Sequence, residues 1–332
     1  MPPRLPPPGP PLGVHVSVAG GLPAAMERAT ELGCTAAQVF VKNAAQWRWR
    51  EVGDEEAAAF RQAHAASPVG PLLAHASYLI NLCAADPVLL ERSREALVDE
   101  LTRCAQVGVG GLVVHPGAHL GAGEESGIDC IAASLDAVLA KLPEGSTRIL
   151  LENTAGQGSC LGYRLEHLAA IRDRVAEPGR VGICLDTCHA FAAGYALHEP
   201  AGYQEMLAEI EERIGLAALG GLHLNDSLRP FNSRRDRHAH IGDGEIGLDA
   251  FARLLQDPRL ATVPMVVETE PGDGMEGHRR DLETLRGLVT PKRKRRRAAA
   301  TPPAAGSPAG SSSGRTRSPR TSAAGSSRSR PG

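Results

Sequence analysis

Nine residues of this chain carry side chains suited to metal-assisted chemistry: His75, His115, Glu152, Asp186, His189, His223, Asp236, His238 and Glu268. Imidazole and carboxylate are good ligands for zinc, and mixed nitrogen–oxygen sets also suit manganese and iron. Four carboxylates packed together repel and raise one another's pKa, so a cluster of this kind calls for cations. Nine donors exceed what one tetrahedral ion uses, and two or three ions suit the set better. Whether they meet depends on the elements that carry them.

Those elements are legible. Short β-rich runs occur at 13–18 (GVHVSV), 36–41 (AAQVFV), 71–76 (PLLAHA), 111–115 (GLVVH), 148–152 (RILLE), 181–186 (VGICLD), 220–224 (GGLHL) and 264–269 (PMVVET). Amphipathic helical stretches lie between them, at 87–107, 126–141, 164–175, 202–214 and 276–289. Eight strands alternating with helices predict an α/β fold, a single (β/α)8 TIM barrel over 13–290. The third to eighth runs end at or near His75, His115, Glu152, Asp186, His223 and Glu268. His189 follows three residues after Asp186, and a polar loop before the last run carries Asp236 and His238. In a parallel barrel all strand C-termini face one way, so these nine residues are expected to form a metal cluster at one mouth. Packing alone gives no reason for six successive strands to end in His, Asp or Glu.

Charge divides the chain. It has 332 residues with 36 Lys+Arg against 38 Asp+Glu. Residues 291–332 hold two Lys, nine Arg and no acid, leaving 25 basic and 38 acidic residues in 1–290, a net of −13. This basic, low-complexity tail, with KRKRRR at 292–297, cannot bury enough apolar area to offset its ordering entropy and is expected to be disordered. The Pro-rich leader 1–12 is expected to be disordered too; it lacks the apolar core of a secretory signal. No apolar run reaches the roughly 18 residues of a transmembrane helix. Seven cysteines without a C-x-x-C pair read as buried thiols of a reducing compartment. Weaker features have packing readings of equal or greater weight. His15 suits a place beneath the metals. His119 could orient a ligand or substrate. Trp47 and Trp49 could stack on a base. Cys188 beside His189 reads as a small buried residue.

The motifs together resemble the endonuclease IV family of apurinic/apyrimidinic (AP) endonucleases. The matching stretches are GVHVSVAGGL (13–22), KNAAQWR (42–48), HASYLINL (75–82), HPGAHLG (115–121), ENTAGQGSCLG (152–162), DTCHAFAAGYAL (186–197), HLNDS (223–227), DRHAHIGDGEIG (236–247) and VVET (266–269). The resemblance implies three zinc ions, with manganese or iron as possible substitutes. His75 and His115 would hold the first, and Glu152 would bridge the first and second. Asp186, His223 and Glu268 would complete the second, and His189, Asp236 and His238 would hold the third. It implies hydrolysis of the phosphodiester 5′ of an abasic site in double-stranded DNA, leaving a 3′-hydroxyl and a 5′-deoxyribose phosphate, with cleaning of blocked 3′ ends. Glu268, with Glu152, would be catalytic. Tyr78 and Leu79 would enter the minor groove as DNA contacts. It further implies a monomer that acts in base excision repair. The Arg-rich, Lys-poor composition suits a bacterial cytoplasm, with nucleoid association through DNA.

The second-strand loop departs from the family, carrying Ala44 and Ala45 where a Gln-Arg pair is expected. Tyr78, Leu79 and Trp47 would then carry more of the work of opening the duplex, and the basic tail could add sequence-independent affinity for phosphates. The competing expectation is a sugar isomerase or epimerase on the same barrel, which needs one or two ions and has no use for the His189–Asp236–His238 set. A non-catalytic DNA-binding protein would leave the whole ligand set unexplained.

Overall fold

Eight short parallel strands form the frame: β1 (Leu12–Val14), β2 (Ala37–Val39), β3 (Leu72–His75), β4 (Gly111–Val114), β5 (Arg148–Glu152), β6 (Val181–Asp186), β7 (Leu219–His223) and β8 (Met265–Val267). The computed structural model describes residues 9–142 and 147–289. The expected basic tail 291–332 and residues 1–8 of the expected leader lie outside the described residues. Strand order around the sheet follows the chain, and β1 pairs with β8. The last seam, between β1 and β2, is joined by a single parallel bridge between His15 and Gln38. There the Val16 N–H donates to the Gln38 carbonyl at 2.7 Å. The result is a nearly closed TIM barrel. β1 starts at Leu12, inside the expected leader, because the Leu12 N–H is held by Thr35 Oγ1 at 2.9 Å.

Nine α-helices accompany the strands among the described residues: α1 (Leu22–Glu31), α2 (Asp54–Ala66), α3 (Pro87–Val107), α4 (Glu124–Leu139), α5 (Leu165–Arg174), α6 (Thr187–Ala193), α7 (Pro200–Arg213), α8 (Leu248–Gln256) and α9 (Glu276–Val289). The longest shows how local sequence sets the bounds. Asp86 accepts from the Val88 N–H as N-cap, Pro87 takes the first position, and Gly108 ends α3 in the left-handed region at φ 80°. Its buried residues Ala96, Leu97, Leu101 and Cys104 recur at helical spacing against the strands. No helix among the described residues is long and apolar enough to cross a membrane.

Inside the barrel, Leu73, Val113, Leu150 and Cys184 form a separate buried plug. Glycines opposite make room for it. A Cβ on Gly220 would fall 2.5 Å from Leu150 Cδ2, and one on Gly221 2.9 Å from Leu73 Cδ1. Side chains in a strand alternate faces, so residues two positions on also point inward, one layer nearer the C-terminal mouth. Those residues are His75, His115, Glu152, Asp186 and, after Gly221, His223. The alternation that packs the plug also places polar residues on top of it.

Candidate metal centre

All nine candidate ligands meet at the C-terminal mouth of the barrel. Their donor atoms form three compact groups, each within 4.8 Å: His75, His115 and Glu152; Glu152, Asp186, His223 and Glu268; and His189, Asp236 and His238. Glu152 belongs to two groups. Its Oε2 lies 3.1 Å from His75 Nε2 and 2.9 Å from His115 Nε2, and its Oε1 lies 2.8 Å from His223 Nδ1. His223 Nδ1 is also 3.0 Å from Glu268 Oε2. Asp236 lies between two imidazoles, with His189 Nε2 at 3.1 Å and His238 Nε2 at 3.2 Å. A fourth donor group joins Asp186 and His238 to Cys188. Burial pushes the Cys188 thiol up to about 12, and its Sγ faces the Arg237 carbonyl at 3.6 Å, so it stays a thiol.

Several of the ligands are aimed by a neighbour. Asp186 ends β6 and caps α6, accepting from the His189 N–H at 2.7 Å, so one turn of helix presents both ligands. Carbonyl oxygens only accept, so a ring nitrogen facing one must carry the proton. His75 thus donates from Nδ1 to the Ala76 carbonyl (2.8 Å), and His189 from Nδ1 to the Asn153 carbonyl (2.9 Å). In both rings the Nε2 lone pair is left for the centre.

Gln38 sets the third tautomer. Its Nε2 donates to Glu268 Oε1 at 2.6 Å, which turns its Oε1 toward His223 Nε2 at 2.9 Å. That ring nitrogen must donate, so His223 offers Nδ1 to the cluster. Asn225 braces the same group: its Nδ2 donates to Asp186 Oδ2 at 2.6 Å, and its Oδ1 accepts from the Glu268 N–H at 2.9 Å. Asn153 accepts from the Asp186 N–H at 2.6 Å. Sequence reasoning missed all three amides. The available signal was a polar residue, Gln38, inside the otherwise apolar run AAQVFV.

The electrostatics call for cations. Burial opposes ionisation of Glu152 and Glu268, yet the surrounding imidazoles hold both carboxyls well below their ordinary range. Burial likewise opposes charge on His189 and His223, and the acidic neighbours raise both well above it. In His238 the same contest, with Asp236 and Asp186 winning, brings the pKa to about 9. Without metal these histidines act as protonated counter-ions. Metal ions would replace those protons, since ligating imidazole is neutral. His238 Nε2 is buried and, despite its nearness to Asp236, has no aligned hydrogen-bond partner among the described residues, as suits a donor directed at an ion. The donor types, their three-way grouping and this orphaned nitrogen fit divalent metal.

The lesser candidates separate. His15 belongs to no donor group among the described residues; its Nδ1 lies 3.1 Å from Gln38 Nε2 and 3.5 Å from Glu268 Oε1, beside the centre. His119 accepts from the Gly123 N–H at 3.1 Å and stabilises its own turn. Tyr78 stands 66% exposed at the rim, its ring 5.3 Å from that of His75, with the exposed Leu79 beside it. Trp47 does not present a free face: it packs on the core under the Arg92 guanidinium, 4.6 Å from its ring. Trp49 is the exposed tryptophan, and it lines a cavity of about 770 Å³ with Phe40, Ala44, Ala45, Tyr78 and Leu79. The seven cysteines are all free thiols.

Comparison with known proteins places this geometry. The AP endonuclease family 2 model, described as a xylose isomerase-like TIM barrel, matches residues 26–288. A relative from Chloroflexus aurantiacus named "Probable endonuclease 4" is 47% identical over 280 residues, covering 84% of this chain and 98% of the relative. The crystal structure of endonuclease IV from Thermus thermophilus is 37% identical at a TM-score of 0.75, covering 84% of this chain and 99% of that one. A D-tagatose 3-epimerase-like protein, 19% identical with a TM-score of 0.65 over 84% of this chain and 96% of that one, shares the fold alone.

Proposed function

The chain belongs to the endonuclease IV family of AP endonucleases, and on that premise we propose that it works with three divalent metal ions, zinc foremost, held at the barrel mouth. It is a DNA-repair hydrolase that cuts DNA at abasic sites. His75 and His115 would hold the first ion with Glu152, which would also serve the second. Asp186, His223 and Glu268 would complete the second site, and His189, Asp236 and His238 the third. The observation that carries this reading is the third donor group, built on α6 and the loop before β8, for which a sugar isomerase has no use.

When bound, the ions supply Lewis acidity, lowering the pKa of water and neutralising charge on the phosphate oxygens. The protein's residues do the rest. Glu268, held ionised and braced by Gln38 and Asn225, accepts the proton of the attacking water. Glu152 keeps the first two donor groups in register. His189, Asp236 and His238 face the side from which the 3′-oxygen departs. Tyr78 and Leu79 fill the minor groove while the abasic nucleotide leaves the stack, a step that costs a few kcal/mol and least where the base is missing. The products are a 3′-hydroxyl and a 5′-deoxyribose phosphate, and blocked 3′ ends are a second substrate. Manganese or iron would serve in place of zinc, since their ligand preferences overlap. The barrel acts as a monomer in the bacterial cytoplasm, and the basic segment 291–332 adds contacts to phosphate.

The test is a duplex with one tetrahydrofuran abasic analogue, incubated with the native, chelated and zinc-restored protein. Incision 5′ of the analogue, lost with the chelator and recovered with zinc, is expected. An intact duplex alongside turnover of a ketose or aldose would instead establish the isomerase reading.

A further inference from the structure

Four arginines, Arg229, Arg234, Arg235 and Arg237, line one hollow of about 310 Å³ with Gln157 and Gly158. Among the described residues, none of the four is ion-paired with a carboxylate. Two of the guanidinium groups are held in place. Arg234 lies 4.2 Å from the centre of the Tyr163 ring, and it fits because Gly156 has no Cβ, which would fall 2.7 Å from Arg234 Nη1. Arg237 Nη1 donates to the Asp236 carbonyl at 2.6 Å. The side chains of Arg229 and Arg235 are exposed and have no partner among the described residues. The loop that presents them is strained: Asn232 and Arg234 sit at φ 57° and 53°. It is tied to α6 by the Asn232 and Arg234 N–H groups, which donate to the Phe191 and Ala192 carbonyls at 3.1 and 2.9 Å. Strain of this kind gathers at ligand clamps.

Like charges that converge without carboxylates make a favourable site for an anion. Guanidinium is a planar, multiple donor whose preferred partners are carboxylate and phosphate. The hollow also adjoins the metal centre, because Gln157 Oε1 accepts from the N–H of Asp236, a member of the third donor group, at 2.5 Å. We infer that this hollow binds a backbone phosphodiester of the cleaved DNA strand, next to the one over the metals on the His189–Asp236–His238 side. The inference rests on the endonuclease reading. It also accounts for the second-strand loop, where Ala44 and Ala45 contribute no charge. The grip on the strand lies instead in the loop between β7 and β8.

The test combines a protein change with a backbone change, using the full-length, zinc-loaded protein. Abasic-analogue duplexes each carry one neutral methylphosphonate in place of a phosphate, and kcat/KM is measured for the wild type and for the Arg229→Ala/Arg235→Ala variant. Wild type is expected to lose activity sharply at one position near the incision. The variant should be weaker on unmodified DNA, lose nothing further at that position, and show a salt slope shallower by about 1. The same methylphosphonate profile in both proteins overturns the inference alone. So does a variant that loses only inhibition by inorganic phosphate, which would make the hollow a free-phosphate site. A wild type that leaves the unmodified duplex intact overturns the endonuclease reading, and the inference with it.

Discussion

Replacing Gln38 with Met tests how the centre is aimed, since it nearly conserves volume while deleting the amide. Gln38 is fully buried, donates to Glu268 Oε1 at 2.6 Å and accepts from His223 Nε2 at 2.9 Å. In Gln38→Met the imidazole N–H has no acceptor and the carboxylate oxygen loses its donor. Each buried group left unpaired costs about 1–3 kcal/mol, so the pair costs about 2–6 kcal/mol of metal-free stability. His223 is then free to turn over its tautomer, and loss of such an outer partner weakens metal affinity by about 10–100-fold. Zinc retained against a graded chelator, counted per chain, reads the affinity. Histidine-selective 15N NMR of the zinc-loaded protein reads the tautomer directly. We expect one ion to leave at lower chelator concentration, with the His75 and His189 tautomers unchanged. An unchanged chelator midpoint and an unchanged His223 signal would refute the argument that Gln38 fixes the ring.

Other perturbations separate the parts of the site. Glu268→Gln should keep the fold and nearly abolish turnover; near-normal kcat would remove Glu268 from its role as proton acceptor. His189→Ala should lower metal content from three ions to two and reduce the rate, whereas unchanged content would contradict the three-way grouping. In metal-free protein the acidic neighbours of His238 raise its pKa to about 9. The stability this contributes is complete below about pH 6.5 and is lost as pH rises through about 9. The metal-free unfolding temperature should therefore fall across that window while zinc affinity rises, as protons leave the ligands; a zinc affinity that is flat with pH would contradict the displacement of protons by metal. Deleting residues 291–332 should flatten the salt dependence of DNA binding, and an identical slope would mean that the segment does not touch phosphate.

The ligands were legible because the barrel encodes them in a local pattern. Packing would make the buried, inward-facing residue one step above the plug apolar, so a polar residue there, as in Leu73–His75 or Leu150–Glu152, marks both a strand end and a ligand. His189 was legible because the cap that starts α6 places it one turn from Asp186. The supporting amides were not. Gln38 showed only as a polar residue in the middle of an apolar strand, and Asn153 and Asn225 carry no charge, so only tertiary contacts distinguish those two from ordinary strand-end residues. Trp47 and Trp49 are two positions apart in an irregular loop, and which one is covered depends on Arg92, far along the chain. The start of β1 was hidden by the prolines before it, since composition does not reveal that Met265 donates to the Pro11 carbonyl at 2.8 Å. Arg229 and Arg235 look like solvated surface charge until the loop before β8 folds back against α6.

Metal stoichiometry and strand incision measured on one purified sample test the central claim most directly. Three ions per chain by elemental mass spectrometry, together with incision 5′ of a single tetrahydrofuran analogue, are predicted. One or two ions per chain with an intact duplex would contradict the account.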